Sequence, residues 1–164
     1  MKRFLFTMIV LVASLVALPV FAISDSQEKA IVDHCDSLRD SLKSVQRDDS
    51  RARVYLGRYY ENILNKFITP LNVRLVENNL SNSELISNQN DFAKTRTNFM
   101  IDYVEYQKEL EDLVATNCKE EPGLFYEKLV STRKKRELVA KDADKLRSLA
   151  LNQIDDLKIL EGRL

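Results

Sequence analysis

Apolar side chains recur at alternating spacings of three and four along almost the whole chain, which restricts it to long amphipathic helices packed side by side. Ile31, Cys35, Leu38, Leu42, Val45, Asp49, Ala52, Leu56, Tyr59 and Ile63 form the first series, in which only Asp49 is wrong for a buried seam. Phe92, Arg96, Phe99, Tyr103, Tyr106, Leu110 and Leu113 form the second. Phe125, Leu129, Thr132, Arg136, Val139, Ala143, Leu146, Ala150, Gln153, Leu157 and Leu160 form the third. Breakers are scarce, with 3 Gly and 3 Pro, and 30% of residues are charged, a balance that favours helix over sheet.

The punctuation fits three helices. Asp25 and Glu28 have capping-box spacing before the first series, and Ser81 and Glu84 repeat it before the second. Pro70 is expected to end or kink the first helix, with Thr69 pushed away from helical angles. A polar loop runs Asn78-Asn79-Leu80-Ser81-Asn82-Ser83. Glu120-Glu121-Pro122-Gly123 separates the second and third helices, and Pro122 suits a first helical position. The expected fold is an all-α antiparallel bundle of three long, coiled-coil-like helices, the first about 44 residues or roughly 65 Å long. The alternative is a four-helix up-down bundle with a break near Asp49, where Arg47-Asp48-Asp49-Ser50 would be a loop.

Cys35 and Cys118 discriminate between these topologies. In an antiparallel hairpin, opposed residues have numbers with a constant sum, and pairing the two cysteines centres the hairpin near residues 76 and 77, inside the Pro70-to-Asn82 connection. In a bundle broken at Asp49 the cysteines would lie roughly 20 Å apart, against the ~4.4–6.8 Å between Cα atoms that a disulfide requires. A Cys35–Cys118 disulfide therefore goes with three helices and closes a loop worth on the order of 4 kcal/mol in the chain-entropy model. If the first helix is continuous, Asp49 is a desolvated seam residue, and Asp49→Leu is expected to stabilise the fold. If the segment is a loop, the same change is neutral or destabilising.

Residues 1–22 read as a secretory signal peptide. Met1-Lys2-Arg3 is basic, Phe4 to Leu18 is almost wholly apolar, Pro19 breaks the run, and Val20-Phe21-Ala22 supplies a peptidase site. Cleavage after Ala22 leaves residues 23–164 as one helical domain. The alternative is an uncleaved anchor, because about 20 apolar residues also span a bilayer. Either way the folded part is expected outside the cytoplasm, secreted, periplasmic or held on the outer side of a membrane. A disulfide suits that compartment. Lys plus Arg and Asp plus Glu number 25 each, and the signal removes Lys2 and Arg3, so the mature balance is 23 against 25. Such near-neutrality offers no field for nucleic acid.

Four segments carry candidate chemistry. Arg51, Tyr55, Arg58 and Tyr60 interleave guanidinium groups with phenol rings, a mixture that grips phosphates, glycans or a polyanionic polymer. The competing reading is interhelical ion pairing, with Arg51 placed opposite Asp102 and near Glu105. Gly57, costly inside a helix, suggests a close helix approach. Asp33-His34-Cys35-Asp36 groups metal-ligand types, but adjacent helical residues diverge and a disulfide consumes the sulfur, so no metal is expected. Arg133-Lys134-Lys135-Arg136 wraps a full helical turn and makes no flat basic face. Asn79-Leu80-Ser81 has the form of a glycosylation acceptor. The one histidine, His34, has no nucleophile at a recognisable spacing, and neither catalytic residues nor cofactors are expected. The expected function is an exported, non-enzymatic interaction or structural protein that meets a protein or envelope component, with self-association open to its heptads. The alternative is a helical binding domain for a small ligand or a polyanion through the 51–60 segment.

Overall fold

The computed structural model describes residues 23–80 and 83–162, and every regular element in it is a helix. The signal sequence lies outside those residues, as does Ser81 of the second expected capping box. Helix α1 (Asp25–Asp33) begins one residue before expectation. Ser24 is its N-cap: the Ser24 hydroxyl accepts from the Gln27 N–H at 3.4 Å, and the Ser24 N–H donates to Gln27 Oε1 at 3.1 Å. Asp25 and Glu28 instead put negative charge in the first turn, where the helix dipole favours it.

The helix breaks for one residue at His34 (φ −109°, ψ 13°) and resumes as α2 (Cys35–Asn62). Helix α2 runs unbroken through Asp49, so the four-helix alternative with a break there is corrected. A π-wound turn (Ile63–Ile68) and α3 (Thr69–Glu77) continue the same arm. Pro70 neither ends it nor displaces Thr69, whose backbone stays helical (φ −63°, ψ −51°). The wider i→i+5 winding just upstream accommodates both the missing donor and the ring clash of the proline. It also moves the seam. Tyr60, Leu64, Ile68 and Asn72 are buried, at every fourth position, whereas the heptad count had chosen Tyr59 and Ile63.

Asn79 (φ 57°) closes the arm in a Schellman turn: Leu80 N–H donates to the Leu75 carbonyl at 2.8 Å and Asn79 N–H to that of Val76 at 3.1 Å. The hairpin thus lies a few residues later than expected. Helices α4 (Ser83–Ala115) and α5 (Pro122–Glu161) complete an all-α antiparallel bundle, with Pro122 at the first turn of α5 as expected. Cys35 and Cys118 are joined, their Cα atoms 5.6 Å apart.

Helix α4 is the middle layer. Helix α5 packs along the length of α4, and the first arm packs on α4 as well, meeting α5 through single side chains such as Tyr60 on the Ala143 carbonyl. Phe92, Phe99, Tyr103, Tyr106, Leu110 and Leu113 fill the α4 seam, with Thr95 buried where Arg96 was expected. The core forms two clusters, one around the disulfide with Tyr106, Leu110 and Phe125, the other around Tyr60, Phe92, Phe99 and Leu146. Beside the second cluster a buried amide ladder ties all three arms. Gln89 donates to Thr69 at 3.2 Å, and Asn72 donates to Gln89 at 2.8 Å and to the Leu85 carbonyl at 3.0 Å. Gln153 donates to Asn72 at 3.1 Å, and Asn88 donates to Gln153 at 3.0 Å and to the Leu149 carbonyl at 2.9 Å.

Candidate functional site

Between the two core clusters the bundle has a polar waist. Asp49 from α2, Tyr106 from α4 and Arg136 from α5 each stand on a seam position, so the three helices aim them at one point. The Tyr106 hydroxyl donates to Asp49 Oδ2 at 2.6 Å. Arg136 donates through Nε to Oδ2 at 2.8 Å and through Nη2 to Oδ1 at 2.9 Å, a two-pronged pair. Burial alone would push the Asp49 carboxyl up, but the hydrogen bonds from Arg136 and Tyr106 outweigh it and hold it below the ordinary carboxylate range. Burial, followed by the bond to Asp49, pushes the Tyr106 phenol far up. The expected desolvated Asp49 is therefore a satisfied acceptor. The expectation that Asp49→Leu stabilises the fold is corrected on that ground.

Because α2 and α5 both lean on α4 without closing on each other, a groove runs between them. At the waist it widens into a hollow of about 480 Å³. Phe99, Tyr103 and Tyr106 floor it, and Arg53, Leu56, Arg133, Val139, Ala140 and Ala143 stand among its walls. Towards the hairpin the groove continues from Leu56 as a second hollow of about 620 Å³, between Tyr60, Ile63 and Phe67 on the first arm and Ala150, Ile154 and Leu157 on α5. Phe67, Leu151 and Ile154 on its walls are 65%, 55% and 49% exposed. The groove thus leaves apolar side chains in water beside a filled core.

The residues singled out from the sequence divide. Arg51, Tyr55 and Arg58 come together on the outer side of α2, around a shallow hollow shared with Val54 and Tyr59. Tyr55 and Tyr59 stack there with ring centroids 6.2 Å apart and an interplanar angle of 7°. Tyr60 does not join them. It is a core residue, 5% exposed, whose hydroxyl donates to the Ala143 carbonyl at 2.9 Å, because the seam passes through 60 rather than 59. The expected pairing of Arg51 with Asp102 and Glu105 does not form. Glu105 pairs with Lys135 and Asp102 bonds Asp142, because α4 turns its acidic flank to α5. A Cβ on Gly57 would meet Met100 Sδ at 3.8 Å, an ordinary contact, so the helix approach does not demand glycine there.

At the other end of the bundle, Cys35 is committed to Cys118, and Asp36 pairs with Lys119 at 2.8 Å. The 133–136 run is split around α5: Lys135 goes to α4, Arg136 to Asp49, and Arg133 to the groove. Sequence reasoning missed Arg53, Arg133 and Arg136 as groove residues. One signal was present, since Asp49 and Arg136 are opposite charges at seam positions of different helices. Among the described residues no helix is long and apolar enough to cross a membrane. Comparison with protein-family models, with curated proteins and with solved structures finds no match to this chain.

Proposed function

We propose that the protein is an exported, non-enzymatic binding module of the cell envelope or extracellular space, and that the groove between α2 and α5 is its recognition surface. The observation that carries the reading is that open groove, floored by aromatic rings and lined by exposed Phe67, Leu151 and Ile154 in a bundle otherwise closed by a disulfide. A stapled, preorganised groove loses little ordering entropy on binding. Anilinonaphthalene sulfonate, an apolar anionic dye, should bind the folded protein at one equivalent. Ala140→Trp, which fills the waist from an exposed position, should abolish that binding. Dye that binds at several equivalents, or that ignores the tryptophan, argues against a discrete groove site. Export is tested separately by sequencing the N-terminus of material outside the cytoplasm: Ile23 is expected, and an intact Met1 in membranes means an anchor.

A second reading rests on the outer face of α2. The stacked Tyr55 and Tyr59 lie beside Arg51 and Arg58, which have no carboxylate partners among the described residues. That face suits a polyanionic polymer. Retention on a heparin column, lost in the Arg51→Glu, Arg58→Glu double variant, supports it; absence of retention removes it.

A further inference from the structure

The two stretches of the groove differ in chemistry. At the waist three guanidinium groups, Arg53, Arg133 and Arg136, face two carboxylates, Asp49 and Glu137. Arg136 and Asp49 satisfy each other, and Glu137 is exposed to water. Arg53 lies over the Tyr103 ring, 5.4 Å from its centroid, and its Nε is buried with no acceptor. Arg133 has no carboxylate partner among the described residues. Arg53 and Arg133 therefore bring positive charge without a carboxylate partner to the lining of an open hollow. Towards the hairpin no spare charge remains: Arg147 is tied to Asp144 at 3.3 Å, and the walls are otherwise almost wholly apolar.

Resting on the groove reading above, we propose that the groove binds a long-chain fatty acid, its carboxylate at Arg53 and Arg133 and its acyl chain running towards Phe67 and Ile154. One charged end and one apolar length define a single-chain anionic amphiphile. The groove is long enough. Arg53 to Phe67 spans at most about 21 Å, the π-wound turn making it somewhat shorter than 1.5 Å per residue implies. An acyl chain of a membrane leaflet reaches about 15 Å, half of the hydrocarbon core. An extracytoplasmic helical protein with such a groove carries or sequesters fatty acid released near a membrane. Reactions that hydrolyse acyl esters are the class that would supply it.

Binding is measured by titrating the purified protein with saturated fatty acids of increasing length and with palmitate against 1-hexadecanol. Affinity should rise roughly fourfold per added methylene and level off once the tail fills the groove. Palmitate should bind at one equivalent, on the order of tenfold tighter than the alcohol. Arg53→Met keeps the stem over Tyr103 and should erase that preference by weakening acid binding more than alcohol binding; Arg133→Met should weaken it in the same direction. Equal affinity for acid and alcohol, or a preference that survives in both variants, overturns the head-group assignment. If anilinonaphthalene sulfonate binds but palmitate neither binds nor displaces it, the fatty acid is excluded and the groove reading stands. If the dye fails as well, both fall. A concentration-dependent dimer in sedimentation, abolished by Ala140→Trp, would identify a second copy of the chain as the occupant and overturn the proposal.

Discussion

Replacing Asp49 with leucine should destabilise the protein, although the position lies in an apolar repeat. Three contributions set the sign. The Asp49 side chain is 18% exposed, so leucine there buries most of its surface and gains about 1.5 kcal/mol. Tyr106, at 1% exposure, keeps a hydroxyl with no acceptor, which costs about 1–3 kcal/mol. Arg136, whose side chain is 56% exposed, returns to water, and its lost pairing costs no more than about 1 kcal/mol. Taken at the middle of each range the net loss is about 1 kcal/mol, a fall of roughly 3–4 °C in Tm for a chain of this size.

Denaturant melts of wild type, Asp49→Leu, Tyr106→Phe and the double variant form the assay. The orphaned hydroxyl is the largest cost, so the double variant should be more stable than Asp49→Leu alone. The pH dependence gives an independent check. Asp49 titrates below its unfolded value, so its contribution is present at neutral pH and is lost as pH falls through and below about 4. The gap between wild type and Asp49→Leu should narrow across that window. An unchanged or raised midpoint for Asp49→Leu at pH 7, or a cycle without coupling to Tyr106, refutes the reasoning.

Four further outcomes follow from the same geometry. Thiol titration of the denatured, unreduced protein should find no free cysteine, and reduction of a bridge spanning 83 residues should cost about 4.5 kcal/mol in urea melts; a loss below 1 kcal/mol would mean the staple contributes little. Gln153→Leu should cost about 2–3 kcal/mol by stranding the Asn72 carbonyl and an Asn88 donor, with melts of comparable slope. Gly57→Ala should stabilise by about 0.5–1 kcal/mol, since the added Cβ meets Met100 at an ordinary distance. The Asp142 carboxyl is raised by burial and then by its bond to Asp102, so ionising it at neutral pH opposes folding. Asp142→Asn should raise the midpoint at pH 7, and the advantage should shrink as pH falls and the Asp142 carboxyl takes up its proton.

The helices, their antiparallel order and the disulfide were legible because each depends on residue type at a fixed spacing. What escaped depends on local winding and on relative helix positions. A strict heptad cannot anticipate a π-wound turn, so it put Tyr59 rather than Tyr60 in the seam and counted Tyr60 among candidate contacts. The constant-sum rule gave the partner helix of α2 but not the rotation of α4 about its own axis. Glu105 therefore went to Lys135 and left Arg51 on an outer face. The groove itself is a gap between helices distant in sequence. No single stretch encodes it, and only the opposed seam charges Asp49 and Arg136 marked where it opens.

Those same charges bear on how one register is chosen. Apolar seams on three long helices tolerate sliding by a turn, because leucine against leucine is much the same one step along. Three features of this chain do not tolerate it, and they are spread along the bundle. The Cys35–Cys118 bridge fixes one end. The Asp49, Tyr106 and Arg136 node fixes the waist, where a shift of one turn would strand a buried carboxylate and a buried phenol together. The ladder from Thr69 through Gln89, Asn72 and Gln153 to Asn88 fixes the hairpin end. The two polar clusters cost desolvation that apolar substitutes would avoid, and they lose their partners on sliding. The waist node also ties the two walls of the groove together. Arg136 reaches across from α5 to Asp49 on α2 beside the hollow that Arg53 and Arg133 line. Removing that tie with an Arg136→Ala, Asp49→Ala pair should free the two walls to shift against each other and strand the buried Tyr106 hydroxyl. Dye affinity should then fall even though no groove-lining apolar residue has changed, and an unchanged affinity would show that the node does not shape the groove.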